Sequence, residues 1–228
     1  ISLLKGAWCD VKDCKLRVLF YLNIYNPSIN SATLYSVSSP NIGTLYTPAL
    51  PVTISPGATS ALLFEIELAN YEPQDMYLQM LFHDGNGNMC YSHFFVDLSY
   101  VLDKCIEQNC SVKVNEFKYL DEISSDGMAY FRYFFSTSTG MSNVQLYSDD
   151  VTIIDVNYDA TTGDLFGILS ITPLELQQLI DSSRDICFRM YACYDGKICK
   201  KEFCVPAYML RIFGSKSVAT DDGSDAET

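Results

Sequence analysis

Residues 76–98, MYLQMLFHDGNGNMCYSHFFVDL, contain two apolar and aromatic runs separated by a short segment of Asp, Gly and Asn. A second segment, ICFRMYACYDGKICKKEFCV at residues 186–205, has the same order of features, with Asp195-Gly196 between its runs. Val, Ile, Tyr and Phe are typical of strands, and Gly, Asn and Asp are typical of the tight turns that join antiparallel strands. Each segment is therefore predicted to form a β-hairpin.

The two segments also resemble each other, which indicates an internal repeat. Residues 77–85 align with 188–196, and the strand ending in Phe94-Phe95-Val96 aligns with the one ending in Phe203-Cys204-Val205. A Cys-x4-Cys pair precedes each copy. The repeat predicts two homologous domains, residues 1–98 and 105–213, with a junction at 99–104. Residues 214–228 are polar and acidic and are predicted to be a tail.

The rest of the chain has an all-β pattern, because short strand-like runs recur between turn residues about every 8 to 12 positions. We expect strands at residues 15–25, 33–37, 51–54, 61–68, 76–82, 89–98, 111–119, 128–136, 144–147, 151–158, 165–171, 186–193 and 198–205. One short helix is predicted in the second domain. Thr172-Pro173-Leu174-Glu175 offers an N-cap, a proline at the first helical position and a capping-box glutamate, and the helix should run to about Asp181.

Composition excludes several classes of protein. The 228 residues are 48% hydrophobic, enough for packed cores, so a fully disordered chain is excluded. A formal charge of -13 has the wrong sign for binding a phosphate backbone, and we expect no nucleic-acid partner. The best apolar run, Val18 to Ile24, falls well short of the roughly 18 residues of a membrane-spanning helix, so no membrane span is expected.

The chain resembles tandem immunoglobulin-like β-sandwich modules of bacterial adhesins and appendages and of phage virion proteins. The resemblance rests on the two hairpins and on Val52-Thr53-Ile54-Ser55-Pro56-Gly57-Ala58, which precedes a strand. It differs from antibody domains, since the only tryptophan, Trp8, precedes the first predicted strand and no Cys, Trp, Cys order occurs. The resemblance implies a scaffold or binding role and assigns no functional residue.

Nine cysteines weakly favour an oxidising compartment, and an odd number leaves at least one thiol unpaired within the chain. A start at Ile1 fits removal of an export signal. A two-residue turn at Asp195-Gly196 places Cys187 opposite Cys204, where either a disulfide or apolar packing is expected. The pairs Cys9/Cys14 and Cys105/Cys110 are candidates for small disulfide loops, for zinc thiolates or for free thiols.

Asp84, Asn86 and Asn88 place oxygen-bearing side chains at alternate positions of a hairpin turn, as a calcium loop does. The helix-loop-helix calcium pattern does not continue, since Met89 and Phe95 stand where glycine and glutamate are required. A plain turn explains the same residues, because Asn and Gly accept positive φ. No cofactor is therefore expected, with calcium kept as the alternative.

No catalytic pattern is present, since the sequence has no Gly-x-Ser-x-Gly elbow and no glycine-rich phosphate loop. We therefore expect no enzymatic activity. The aromatic strand around Tyr130, Tyr133 and Phe135 has aromatic residues on both faces, so one face packs in a core. The other face is either covered or binds a protein or a sugar, and Tyr130, Tyr133 and Phe135 are the candidate residues for such a contact.

The sequence thus predicts a non-enzymatic structural or adhesive subunit, extracellular or on the cell surface, that forms a homo-oligomer or a larger filament or particle with other proteins. A carbohydrate-binding module and a virion component are the alternatives. Two terminal segments are predicted to be strand-forming and at least one of them to contact a neighbouring subunit. They are Ser2-Leu3-Leu4 and the segment that contains Tyr208, Leu210, Ile212 and Phe213.

Overall fold

A computed structural model describes residues 2–39, 44–47, 49–72, 75–107, 110–120, 127–206 and 208–211. The chain divides into two compact units. The first contains Ile1–Ser111, Gly140–Gln145 and Met190–Lys201, and the second contains Val112–Thr139, Leu146–Arg189 and Glu202–Thr228. The first unit thus takes in two segments that follow the predicted junction, and the tandem boundaries at 99–104 stay a prediction.

The structure confirms an all-β protein. Its strands are β1 (Ser2–Lys12), β2 (Lys15–Tyr25), β3 (Ala32–Ser38), β4 (Thr44–Tyr46), β5 (Val52–Ile54), β6 (Thr59–Glu67), β7 (Met76–Asp84), β8 (Met89–Val96), β9 (Ile106–Glu107), β10 (Val112–Leu120), β11 (Ala129–Thr137), β12 (Ser142–Tyr147), β13 (Thr152–Ile153), β14 (Asn157–Asp159), β15 (Asp164–Ile171), β16 (Ile186–Tyr194) and β17 (Lys197–Val205).

In the first unit, one sheet has the strand order β1-β2-β6-β4 and another has the order β5-β3-β7-β8. Side chains alternate between buried and more exposed positions along these strands. The buried side chains of β2 are Leu16, Val18, Phe20, Leu22 and Ile24, and those of β7 are Met76, Leu78, Met80 and Phe82. Each sheet therefore buries one face, as the sheets of a β-sandwich do.

In the second unit, β10-β11-β15-β13 form a sheet, and β14 also pairs with β15. Phe135 on β11 contributes to an aromatic core. Its ring centroid lies 5.7 Å from that of Phe188 and 5.0 Å from that of Phe203. A fourth sheet, whose strands contribute residues to the ranges of both units, has the order β12-β16-β17-β9, in which β9 runs parallel to β17.

The predicted helix is confirmed as α2 (Pro173–Ser182), the second of three helices in the described chain, after α1 (Ser99–Leu102). Its capping box is formed as expected, because the Thr172 side chain accepts from the Glu175 backbone N–H and the Glu175 carboxylate accepts from the Thr172 backbone N–H. Ser183 ends the helix in the left-handed conformation. These local signals fixed the start of α2 without help from the rest of the fold.

The strand prediction for the C-terminal segment is wrong, because residues Tyr208–Arg211 form the helix α3. Tyr, Met, Leu and Arg are all acceptable in helices, and Pro206 ends β17 and accepts the backbone N–H of Met209 as the first turn forms. Ile212, Phe213 and the predicted tail lie outside the described residues. The N-terminal segment is a strand, as predicted. Its residue Leu3 pairs with Asn23 of β2, so β1 is part of a sheet of its own chain.

The strand predicted at 151–158 is divided into β13 and β14. Between them, the backbone N–H groups of Ile154 and Asp155 both donate to the carbonyl oxygen of Ile168, at 2.9 and 3.3 Å. Two successive residues thus share one acceptor, as at a β-bulge, and the regular pairing with β15 is interrupted. We call residues 154–155, which lie next to Ile168 of β15, the 154–155 crossing.

Candidate functional site: an uncharged edge strand

Among the strands that the structure describes, β8 lies at the end of its sheet and pairs with β7 alone. The Asp84 backbone N–H donates to the Asn88 carbonyl oxygen at 2.9 Å, so this is the hydrogen-bonded pair nearest the turn. Hydrogen-bonded and non-hydrogen-bonded pairs alternate along an antiparallel ladder. The backbone N–H and C=O groups that point away from β7 therefore belong to Met89, Tyr91, His93 and Phe95.

The side chains of the same residues project from one face of the sheet, because every second residue of a strand faces the same way. Met89 is 64% exposed, Tyr91 59% and Phe95 60%. On the neighbouring strands, Tyr77 and His83 of β7 and Tyr35 of β3 extend this surface. We call these seven residues the aromatic face: Tyr35, Tyr77, His83, Met89, Tyr91, His93 and Phe95.

Ring contacts connect the members of the aromatic face. The rings of Tyr77 and His93 stack with centroids 5.1 Å apart, and those of Tyr35 and His83 lie 4.2 Å apart. Tyr77 stands directly opposite Phe95 in the β7–β8 register. These contacts restrict the rotamers of the four side chains. Binding of a partner therefore costs this surface less side-chain conformational entropy than it would cost a flexible surface.

The opposite side of β8 borders a groove of about 180 Å³. It is lined by Ile24, Tyr25, Asn26, Pro27, Ala32, Ile54, Phe82, Cys90 and Ser92. Cys90 is exposed and is the free thiol among the described cysteines. Asn26, one of the lining residues, is buried but satisfied, because its Nδ2 donates to the Asn30 and Ile54 carbonyl oxygens and its Oδ1 accepts from the Ser28 N–H. These bonds hold the Asn26 side chain in one orientation.

β8 differs from the other long edge strands in charge. It contains no Asp, Glu, Lys or Arg, whereas β1 contains Asp10 and Lys12, and β10 contains Lys113, Glu116 and Lys118. Charged side chains on an edge strand oppose pairing with another chain. In a chain of net charge -13, an exposed apolar edge without any charge indicates a surface used for contact.

β12 is also an uncharged edge strand, but contacts within the first unit cover it. The Gln145 side chain accepts from the Tyr71 backbone N–H at 2.8 Å, and Asn143 donates to the Cys14 carbonyl oxygen at 3.4 Å. Among the described edge strands of five residues or more, β8 is therefore the one that contains no charged residue and is not covered by side-chain hydrogen bonds of the kind seen at β12.

The Cys-x4-Cys pairs do not close local loops. Cys9 is bonded to Cys105, Cys14 to Cys193, and Cys110 to Cys199. Three short segments, 9–14, 105–110 and 193–199, are thus joined end to end into a closed covalent ring, which we call the cystine ring. The four candidate cysteines are therefore all in disulfides, but the small loops Cys9–Cys14 and Cys105–Cys110 do not form, because the fold brings a cysteine distant in sequence next to each of them.

The cystine ring lies within the first unit and is partly buried. Cys193 and Cys199 are each 2% exposed. Asp13 and Cys14 both have positive φ, as the two-residue turn between β1 and β2 requires. The hydroxyl of the buried Tyr71 donates to the Cys14 carbonyl oxygen, and burial raises the pKa of Tyr71. The ring therefore holds the β1–β2 turn in a fixed conformation.

Cys187 and Cys204 form a fourth disulfide, across the hairpin of β16 and β17. Asp195 and Gly196 have φ values of 51° and 74°, as the predicted two-residue turn requires. In total, four disulfides connect eight of the nine cysteines. Disulfides in this number are typical of proteins from oxidising, non-cytoplasmic compartments.

The calcium candidates Asp84, Asn86 and Asn88 form a hydrogen-bonded turn. One Asp84 carboxylate oxygen accepts from the backbone N–H groups of Asn86 and Asn88, at 2.9 and 2.8 Å, and the other accepts from the Asn88 side chain at 2.9 Å. The hydrogen bonds from Asn88 lower the pKa of Asp84. Within the described residues, no group of three or more His, Cys, Asp or Glu could hold a metal ion.

On the aromatic strand β11, two of the three residues proposed to bind a protein or a sugar have their side chains in the core. Tyr133 and Phe135 are fully buried, so the expectation that they contact a glycan or a partner is wrong. Tyr130 lies on the other face and is half-buried. Strand periodicity separates Tyr130 from Tyr133 and Phe135, but only the packing of Phe188 and Phe203 on Phe135 decides which face is covered.

Tyr208, at the start of α3, is 64% exposed. For Leu210 the structure gives a helical backbone position in α3 in place of the predicted strand. No helix of the described chain is long and apolar enough to cross a membrane.

Comparisons with known proteins give a weak fold-level resemblance. No protein-family model and no curated protein matches the chain. Among solved structures, the YadV chaperone is 12% identical over 90% of this chain and 99% of its own, with a TM-score of 0.30. The CupB2 chaperone of Pseudomonas aeruginosa (8%, covering 89% and 100%, TM-score 0.27) and the N-terminal periplasmic domain of ScsB from Proteus mirabilis (7%, 88% and 92%, 0.26) are similar at the same level. TM-scores this low carry no argument about function.

The sequence contained a signal for the aromatic face that was not used. Met89, Tyr91, His93 and Phe95 alternate along a run of eight residues without a charge. Alternation of large apolar residues normally marks a buried face. Here the alternate residues Cys90 and Ser92 face the groove, and it is the aromatic residues that face solvent.

Proposed function

We propose that this protein is a non-enzymatic structural or adhesive subunit that binds other protein chains through the aromatic face and the open edge of β8. The observation that carries the proposal is that the exposed apolar side chains of β8, those of Met89, Tyr91 and Phe95, belong to three of the four residues whose backbone groups point outward. A strand from another chain pairs with such an edge through its backbone and covers the adjoining side chains.

The disulfides support a site of action outside the cytoplasm. The cystine ring and the Cys187–Cys204 bond constrain the unfolded chain, which stabilises a protein that works without chaperones or repair. We therefore propose the extracellular space or the cell surface as its location, and assembly into a filament or particle as its role. A virion surface is the alternative location.

Several features favour a protein over a carbohydrate as the partner. Sugars stack on the open faces of single aromatic rings. In the aromatic face, Tyr77 and His93 already stack on each other. Beside them, the outward N–H and C=O groups of β8 recur at the regular spacing that matches the backbone of another strand. Strand pairing uses both the rings and the backbone groups.

Site-specific photo-cross-linking in the cells that produce the protein tests this function. A photoreactive phenylalanine analogue replaces Tyr91 or Phe95 in separate variants, and Tyr46, which is 49% exposed on β4, serves as the matched control. The proposal expects protein adducts at Tyr91 and Phe95, each identified by mass spectrometry, and few at Tyr46. Equal labelling at Tyr46, or glycan adducts alone, would overturn it.

A further inference from the structure

We propose that the partner of β8 is β8 of a second copy, paired antiparallel about a two-fold axis that passes between the two Ser92 residues. This inference rests on the proposed function and specifies the partner and the register. It places Met89 opposite Phe95 of the partner subunit and Tyr91 opposite His93 of the partner subunit.

The outward backbone groups set the allowed registers. Because Met89, Tyr91, His93 and Phe95 carry those groups, only pairings among these residues form hydrogen bonds between the two strands. A two-fold axis at Ser92 lies midway along these four residues. The backbone N–H of each residue then donates to the partner strand, and its C=O accepts from it. Moving the axis by one residue toward either end leaves a residue of the four without a partner from the same set.

Charge explains why a second copy is acceptable at this edge. A two-fold axis brings identical segments together, so a charged edge strand would place like charges close to one another, which is destabilising. β1 and β10 carry such charges, whereas β8 carries none. The chosen register also keeps Asp97, which follows β8, outside the paired region.

The exposed area fits a dimer of moderate strength. An aromatic side chain has about 150 to 250 Å² of surface, so the exposed fractions of Met89, Tyr91, Phe95 and Tyr77 amount to roughly 400 Å² per copy. That area is comparable with the largest apolar patch of an ordinary monomer and gives a small interface by the standard of stable complexes. Edge pairing extends the sheet sideways and covers only part of this area, so backbone pairing must supply much of the stability, and we expect a weak dimer with a dissociation constant of about 1 to 100 μM.

Cysteine cross-linking tests the register. In a Cys90→Ser background, which removes the free thiol, Ser92→Cys places two thiols at a non-hydrogen-bonded pair with Cα atoms about 4.5 Å apart, within disulfide range. We expect rapid formation of a covalent dimer in the full chain under mild oxidation. Tyr46→Cys in the same background is the control and should stay monomeric at the same concentration.

Backbone pairing is tested by sedimentation equilibrium of the full chain. His93→Pro removes an N–H that points away from β7, so it spares the ladder with β7 while it removes a bond from each copy of the dimer. We expect the dissociation constant to rise about tenfold or more, and His93→Ala to have a much smaller effect. Tyr91→Lys, which keeps the backbone, provides a second test in case proline disturbs folding, with Tyr46→Lys as its control.

The outcomes separate this inference from the proposed function. A concentration-dependent dimer, weakened by His93→Pro or Tyr91→Lys and trapped by Ser92→Cys, supports the pairing. A strict monomer up to about 1 mM, or a dimer that none of these changes affects, overturns it. If the photo-cross-links at Tyr91 lead to a different protein, the proposed function stands and this inference fails.

Discussion

The hydroxyl of Tyr133 on β11 donates a hydrogen bond of 2.8 Å to the carbonyl oxygen of Asp155, in the segment between β13 and β14. The bond crosses β15 at Gly167, whose missing side chain makes room for it. A Cβ at position 167 would lie 2.3 Å from that carbonyl oxygen and 2.7 Å from the Tyr133 Oη atom. The contact holds the 154–155 crossing close against the sheet of the second unit.

Gly167→Ala should destabilise the protein. The clash involves backbone, which moves less easily than a side chain, so we expect a loss of about 2 kcal/mol or more in the free energy of unfolding. Denaturant unfolding under non-reducing conditions measures it. Gly85→Ala is the control, because a Cβ there meets its nearest atom at 3.6 Å. An equal effect of both changes would contradict the role of Gly167.

Tyr133→Phe should lower stability by about 1 kcal/mol near pH 7, since it removes the bond to Asp155. It should also change the dependence on alkaline pH. Burial, with a smaller effect of the Asp155 charge, raises the pKa of Tyr133 well above its usual value of 10.0. Above that value the unfolded state loses the proton that the folded state keeps, so the stability contributed by Tyr133 is lost as pH rises from about 10.

The measurement is the denaturant midpoint between pH 8 and pH 11, made in a Cys90→Ser background to prevent thiol exchange at the disulfides. The alkaline loss should be smaller in Tyr133→Phe than in the parent protein. Identical pH profiles for Tyr133→Phe and the parent would contradict the assignment.

The cystine ring predicts similar costs for its three disulfides. Their sequence separations are 96, 179 and 89, and chain entropy alone would rank them by those lengths. When the other two bonds are formed, however, the two cysteines of the third bond are already connected through segments 9–14, 105–110 and 193–199. That third bond therefore closes only a short loop made of these three segments. We expect paired Cys→Ser changes to cost about 3 kcal/mol for each bond, as for a loop of about 15 residues.

Denaturant unfolding of the three double variants checks this expectation. A much larger loss for Cys14→Ser/Cys193→Ser than for Cys110→Ser/Cys199→Ser would show that the ring does not act as a unit. Disulfide mapping of each variant is the control, because the two remaining bonds of the ring must stay paired as in the parent.

Asp84→Ala should loosen the turn between β7 and β8, because Asn86 and Asn88 lose the acceptor of their backbone N–H groups. Faster hydrogen exchange at these two amides measures the loss, and Asp84→Asn, which keeps an oxygen acceptor, should lose less. Since hydrogen bonds from Asn88 lower the pKa of Asp84, the support of the turn is present above the unfolded value of 3.8 and is lost as pH falls through the folded value.

Calcium should not protect the same two amides, because both carboxylate oxygens of Asp84 already accept hydrogen bonds. Hydrogen exchange with about 5 mM calcium, several-fold above the dissociation constant of about 1 mM of the weakest extracellular calcium sites, is compared with exchange in a chelator. Slower exchange at Asn86 and Asn88 with calcium would support a calcium site and contradict the plain turn.

Features that depend only on neighbouring residues could be predicted from the sequence. The Asp195-Gly196 turn, the start of α2 at Thr172 and the alternation along β2 and β7 follow from backbone preferences and from local hydrogen bonds. Each is decided within about ten residues, so the chain need not be folded for the preference to exist. The all-β class could be predicted for this reason.

Features in which distant segments meet could not be predicted in this way, because they depend on how the whole chain packs. Alternation places Tyr133 and Tyr130 on opposite faces, but only the Phe188 and Phe203 rings make the Tyr133 face the buried one. Cys9 and Cys14 look like partners because they are close in sequence, yet the fold brings Cys105 and Cys193 within bonding distance of them. β8 is an edge because of the order of the strands in its sheet, which residues 89–96 do not encode on their own. A local sequence specifies backbone conformation and side-chain periodicity, whereas the identity of the neighbour across a gap depends on the free energy of packing the whole chain.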